Sequence, residues 1–355
     1  MKWTNDITEL LKIDFPIIQA PMFGVKTPEM VAATSNINCL GSLALADVNA
    51  EKCVEEINKT KKLTNKPFAI NIFVHNIPDI TDTLKADYAE AKTYVEQLAK
   101  QNNLDITIPN IYELKINSYH EQIDAIISEN CRIVSFTFGN LDNQSINKLR
   151  SKGAILIGTC TSVNEAKILE NSGIDIICVQ GFEAGGHRGS FVSEDIPKIG
   201  GLTLLEKVRE AVNIPIIYAG GIYSAKTLLA AKKMGASGFQ IGSLLLGSKE
   251  SALQNFEKER LRKADENEIV LTKSFSGRFA RGIRNVFISE VEQAGFILPF
   301  PYQNKLTGEL RRIAKINQNA DFVNIWVGQS IKEFSGDSTT EILTKLIKQT
   351  EQNSR

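Results

Sequence analysis

Eight short apolar runs, each followed by a stretch of helical character, constrain this chain more than any other feature. They fall at 15–21, 40–45, 68–73, 133–138, 154–158, 176–180, 214–219 and 238–241. Runs of this length, bounded by glycine, proline or polar turns, predict buried strands. The intervening stretches predict helices. After the first run, Thr27, Pro28 and Glu29 supply a cap, a first-turn proline and a first-turn acid. Regular β-then-α alternation predicts an α/β fold with a parallel sheet. A closed eight-stranded barrel and an open doubly wound sheet both satisfy it.

Two stretches break the alternation. Residues 74–119 are polar and charged, with Asp79, Asp82, Lys85, Asp87, Glu90, Lys92 and Glu96, and are too long for a tight connection. They predict an inserted helical lid or flank. Beyond 245 the pattern ends, and helices at 250–264, 306–316 and 339–350 alternate with loops at 274–285 and 299–303. The expectation is a barrel over 1–250 carrying the 74–119 insertion, and a C-terminal helical extension over 251–355 packed near the barrel mouth.

Composition excludes several partners. Lysine plus arginine equals aspartate plus glutamate, 41 against 41, so no global field draws the chain to nucleic acid or anionic lipid. No apolar run approaches a membrane span, and the N-terminus has no apolar core of a signal peptide. Cys39, Cys53, Cys131, Cys160 and Cys178 show no metal spacing and read as buried thiols, so a cytoplasmic location is expected.

The chemistry gathers at strand ends. The run at 176–180 stops at a loop holding Glu183, His187 and Arg188 among Gly181, Gly185, Gly186 and Gly189. Glycines let a backbone approach a ligand, and an imidazole among them can titrate near neutral pH. His75 and His120 lie in polar, unremarkable sequence, which leaves His187 as the candidate catalytic residue. The last two runs end in Gly220-Gly221 and Gly242-Ser243. Paired glycine turns at the final strands of a barrel suit a phosphate, received by free backbone N–H groups, and they favour the closed topology. Asn71, the one polar residue inside its run, fits either a satisfied core amide or a ligand contact.

Other chemistries fit poorly. Ala184 stands where G-x-G-x-x-G requires its first glycine, and the loop does not open directly into a helix. No His-x-x-x-His or carboxylate cluster suggests a metal, and no G-x-S-x-G a serine hydrolase. Arg278, Arg281 and Arg284 sit at helical spacing, which fits a solvated or salt-bridged face at least as well as an anion site.

These blocks resemble the nitronate monooxygenases, formerly called 2-nitropropane dioxygenases, over nearly the whole chain. The markers are 16–22 (PIIQAPM), 135–139 (SFTFG), 183–189 (EAGGHRG), 219–222 (AGGI), 240–243 (QIGS) and 275–278 (FSGR). The resemblance implies a TIM (β/α)8 barrel holding FMN without a covalent bond. By matching position, Gly220, Gly221, Gln240, Ile241, Gly242 and Ser243 would hold the phosphate. Asn71, Gln180 and Gly185 would line the flavin, and Ala20, Pro21 and Met22 would support its ring. His187 would face the flavin where substrate stacks. Ser243 and Leu244 depart from the threonine and larger or basic residue often found there, but Ser243 keeps the hydroxyl.

The implied reaction oxidises an alkyl nitronate, such as propionate 3-nitronate, with O2 to a carbonyl compound and nitrite. His187 would stabilise the nitro group or, with a neutral nitroalkane, act as general base. A homodimer is compatible with this reading. Three alternatives stay open: an FMN-dependent enoyl-acyl-carrier-protein reductase and an NAD(P)H:quinone reductase of the same barrel type, and a non-catalytic flavin-binding protein.

Overall fold

The computed structural model describes residues 2–193, 195–330 and 334–354. Strands form at Ile17–Gln19 (β1), Gly41–Ala46 (β2), Phe68–Phe73 (β3), Ile133–Thr137 (β4), Ile155–Cys160 (β5), Ile176–Gln180 (β6), Gly186–His187 (β7), Ile216–Ala219 (β8), Gly238–Ile241 (β9), Ile269–Thr272 (β10) and Ala280–Ile283 (β11). Eight of them make one parallel sheet in the order β1–β9–β8–β6–β5–β4–β3–β2. A parallel bridge from Ile18 to Leu40 ties its two ends, so the topology is the closed TIM barrel.

The two-residue period of each strand builds two layers. Ile176 and Cys178 of β6 point into the barrel with Ile217 and Ala219 of β8, Ile18, Leu40, Ile133 and Ile157. Their neighbours Ile177, Val179, Ile216 and Tyr218 point outward into the layer beneath the helices. A short N-terminal helix, Asp6–Leu11, closes the N-terminal end of the barrel, with Ile7 and Leu11 fully buried in the interior cluster.

Seven barrel strands are followed by a helix of the surrounding ring, and the eighth helix comes from the end of the chain. Thr339–Asn353 packs between Pro28–Asn36 and Ala225–Lys233, burying Ile342, Leu343, Leu346 and Ile347. The expected extension over 251–355 therefore divides. Its last helix belongs to the barrel, because an amphipathic helix with no partner in the cap finds an open place in the ring.

The remainder of that extension shares a core with the 74–119 insertion. Leu84, Tyr88 and Val95 of helix Asp82–Gln101 cluster with Phe287, Tyr302, Leu310 and Phe322. Tyr94 Oη donates to the Glu290 carbonyl at 3.0 Å, and Tyr302 Oη to the Pro78 carbonyl at 2.6 Å. Together these segments form a cap over the C-terminal mouth of the barrel. The stretch 274–285, expected as a loop, contains β11, which pairs antiparallel with β10 and with β7.

Candidate active site

Between the barrel mouth and the cap lies a cavity of about 580 Å³. Its barrel side is built by the turns that leave the strands. Gly220 and Gly221 follow β8 with φ of +124° and +65°, values that a side chain strains. Gly242 and Ser243 follow β9, and a Cβ on Gly242 would press on Ala20 at 3.3 Å. Ser243 Oγ accepts the Gly328 N–H at 2.9 Å, which leaves its own proton free to donate. Among the described residues the N–H groups of Gly221 and Gly242 have no protein acceptor. Three donors, the Gly221 and Gly242 N–H groups and the Ser243 hydroxyl, thus belong to residues on the cavity wall.

Eleven of the twelve residues expected around a cofactor line this cavity: Ala20, Pro21, Met22, Asn71, Gln180, Gly185, Gly220, Gly221, Gln240, Gly242 and Ser243. Ile241 does not. Its side chain turns into the apolar layer under the helices, and its carbonyl accepts the Ala20 N–H at 2.8 Å. Asn71 Nδ2 donates to Ser135 Oγ at 2.9 Å. The Gln180 amide is committed at both ends, donating to the His187 carbonyl at 2.8 Å and accepting the Gly189 N–H at 2.9 Å. Gly185 must be glycine because a Cβ there would come within 2.7 Å of the Gly328 nitrogen.

His187 stands on the cavity wall, held by β7. Its register partner across the antiparallel pair is Ala280 of β11, and Arg188 N–H donates to the Phe279 carbonyl at 2.7 Å. Nε2 lies 2.8 Å from Ser276 Oγ, while no described residue engages Nδ1, which is left to the cavity. Phe138, Trp326 and Phe73 approach the ring edge-on with centroids at 5.4, 5.6 and 6.2 Å. Burial, then the Arg278 and Arg311 cations, push the imidazole down to about 3. It is therefore neutral at physiological pH.

The cations come from the cap. Arg278 lies 4.3 Å over the Phe138 ring and donates to the Ser190 carbonyl. Arg281, 3% exposed, donates to the Phe182 carbonyl at 2.8 Å, and Arg188, 2% exposed, holds the carbonyls of Gly181 and Gln180. The solvated-face reading survives only for Arg284, half-exposed and 4.0 Å from Glu292. Burial lowers Arg278, Arg188 and Arg311 to about 10, so all three remain charged. Arg311 lines the cavity and donates to Asn304, Thr307 and Asn324, with no carboxylate within 4 Å among the described residues.

Sequence reasoning missed several of these residues. Phe300, Trp326, Gly328, Arg311 and the pair Asp47–Lys305 all line the cavity, and that ion pair closes to 2.7 Å. His75 also differs from expectation. It is buried beside Phe300, centroids 4.6 Å apart, both ring nitrogens lack partners, and burial lowers its pKa.

Fold and site together define a barrel enzyme whose glycine-rich strand-end turns open on a neutral histidine beneath a cationic, aromatic cap. The chain belongs to the nitronate monooxygenase family, whose model matches residues 4–349, and it is an oxidoreductase. It is similar to a probable nitronate monooxygenase of Staphylococcus aureus (strain Newman), 35% identical over 351 residues that cover 98% of each chain. Among solved structures it resembles a nitroalkane oxidase from Streptomyces ansochromogenes, with TM-score 0.88, 29% identity and 99% of both chains covered. FabK from Thermotoga maritima shares the fold, with TM-score 0.77 and 24% identity over 99% of this chain and 97% of that one. No described helix is long and apolar enough to cross a membrane.

Proposed function

We propose that the protein holds FMN in this cavity and oxidises alkyl nitronates with O2 to a carbonyl compound and nitrite. The observation that carries the reading is a neutral His187 set among cations. An imidazole pressed down to about 3 is a poor base for a carbon-bound proton, so it suits a substrate already ionised. The same Arg278 and Arg311 charges that resist its protonation favour an anion at the same place. Both features support a nitronate over a neutral nitroalkane. His187 would hydrogen-bond a nitro oxygen as the donor through Nδ1–H, with Nε2 accepting the Ser276 hydroxyl.

The cradle suits the FMN phosphate. Gly221 and Gly242 would receive it with their free backbone N–H groups and Ser243 with its hydroxyl proton, while Gly220, Gln240 and Ile241 would shape the wall beside it. Alanine at Gly220 or Gly221 would take up a disfavoured φ at the cradle itself. Asn71, Gln180 and Gly185 would lie along the ring, with Ala20, Pro21 and Met22 under it. When bound, the flavin supplies a one-electron acceptor for the nitronate and a donor for O2. The aromatic edges of Phe73, Phe138 and Trp326 would exclude water around His187.

The test mixes FMN-loaded protein anaerobically with an alkyl nitronate, propionate 3-nitronate first, and separately with NADPH. Flavin bleaching by the nitronate, then nitrite on admission of O2, is the expected result. Bleaching by NADPH alone would overturn the reading in favour of a reductase.

A further inference from the structure

The Glu183 side chain sits at the centre of a glycine cage that the proposed reaction does not use. A Cβ on Gly201 would come within 2.1 Å of its carboxylate, one on Gly181 within 2.7 Å, and one on Gly221 within 3.2 Å of its side chain. Two elements end on that carboxylate. Oε2 accepts the Gly201 N–H at 3.1 Å, and Oε1 accepts the Tyr218 hydroxyl. Helix Gly201–Ala211 starts from Gly200, which offers no capping side chain, so Glu183 acts as its cap from another loop. Tyr218 lies on β8, two residues before Gly220, and points outward from the barrel. The Glu183 carbonyl accepts the Gln329 N–H at 3.0 Å, beside Gly328, which donates to Ser243 Oγ.

We propose that Glu183 is a positioning residue for the phosphate end of the cofactor. Through one carboxylate it joins a helix N-terminus to β8, and its stem fills the space behind the Gly220–Gly221 turn. Its backbone fixes the 328–329 segment against Ser243. A negative charge beside a phosphate cradle would ordinarily weaken anion binding, but both of its oxygens are spent on donors. The glycines at 181, 201 and 221 are thus required by this side chain. The assignment rests on the FMN reading.

The experiment compares FMN with riboflavin, which lacks the phosphate, by fluorescence titration of flavin-free protein. Glu183→Gln keeps the shape but removes the charge, so the bond to the Gly201 N–H weakens and the Tyr218 hydroxyl must turn from donor to acceptor. Tyr218→Phe removes one bond and leaves the carboxylate in place, a milder change if the first variant folds poorly. Each variant is expected to weaken FMN about tenfold while leaving riboflavin unchanged. Unchanged FMN affinity in both variants would overturn the assignment. So would equal weakening of FMN and riboflavin, because the effect would then not lie at the phosphate. Wild-type protein that binds neither flavin would sink the FMN reading, and this assignment with it.

Discussion

The two walls of the cavity are made in opposite ways. The barrel wall is local: β8 and β9 each run straight into the turns Gly220-Gly221 and Gly242-Ser243, within two residues of the strand end. The cap wall is assembled from afar. His187 meets Ser276, 89 residues away, while Phe300, Arg311 and Trp326 reach the cavity from separate segments and Arg278 adds its charge to His187. The cradle is shaped by backbone conformation and the cap by side-chain charge and aromatic packing. The first wall should therefore govern cofactor affinity, and the second turnover and pH response.

The largest effect that separates them should come from His187→Asn. Turnover with nitronate is expected to fall about 100-fold, with FMN affinity unchanged, measured by nitrite release and flavin titration. Equal loss of both would show that the two walls are not separable. Next comes Lys305→Met, which strips the cation from Asp47, itself 8% exposed. A buried carboxylate left without its partner should cost about 3 kcal/mol, seen as a lower unfolding temperature. An unchanged temperature would mean the cap does not depend on this latch. Smaller again is Gly220→Ala, where a side chain at φ +124° strains the turn. FMN should bind about tenfold more weakly while bound enzyme keeps its turnover.

The same division explains what could be read in advance. All eight barrel strands and both glycine turns were legible, because each is announced by a short apolar run and the residues that end it. Ile241 could have been excluded by the alternation that puts Gln240 toward the mouth, since neighbours on a strand face opposite ways. Arg278 and Arg281 were not legible. Their spacing suggests an exposed face, yet pairing of β11 with β7 buries Arg281 against the Phe182 carbonyl, and Arg278 stacks over Phe138. His75 follows β3 in polar sequence, and only the fold brings Phe300 onto it. The eighth barrel helix, Thr339–Asn353, lies about a hundred residues beyond β9, past every local signal.

The subtlest test acts across the two walls. Burial contributes most to the depression of His187, and Arg278 comes second, ahead of Arg311. Arg278→Gln should therefore raise the His187 pKa without restoring its ordinary value, because burial and Arg311 remain. A proton NMR titration of the imidazole reads this directly, and an unmoved resonance would sink the idea. Stability must follow. The unfolded histidine titrates near 6.5 and the folded one near 3, so the unfolded chain binds more protons between them. The contribution of His187 to stability is complete above 6.5 and is lost as pH falls toward 3. His75, also lowered, acts in the same direction. In Arg278→Gln the loss should stop at a higher pH, so the acid slope is shallower than in wild type. His187→Asn should flatten it further. FMN affinity in Arg278→Gln should not move at neutral pH, because the cradle owes its shape to glycine and Glu183 and not to the cap's charge. A large change there would show that the cap reaches the phosphate after all.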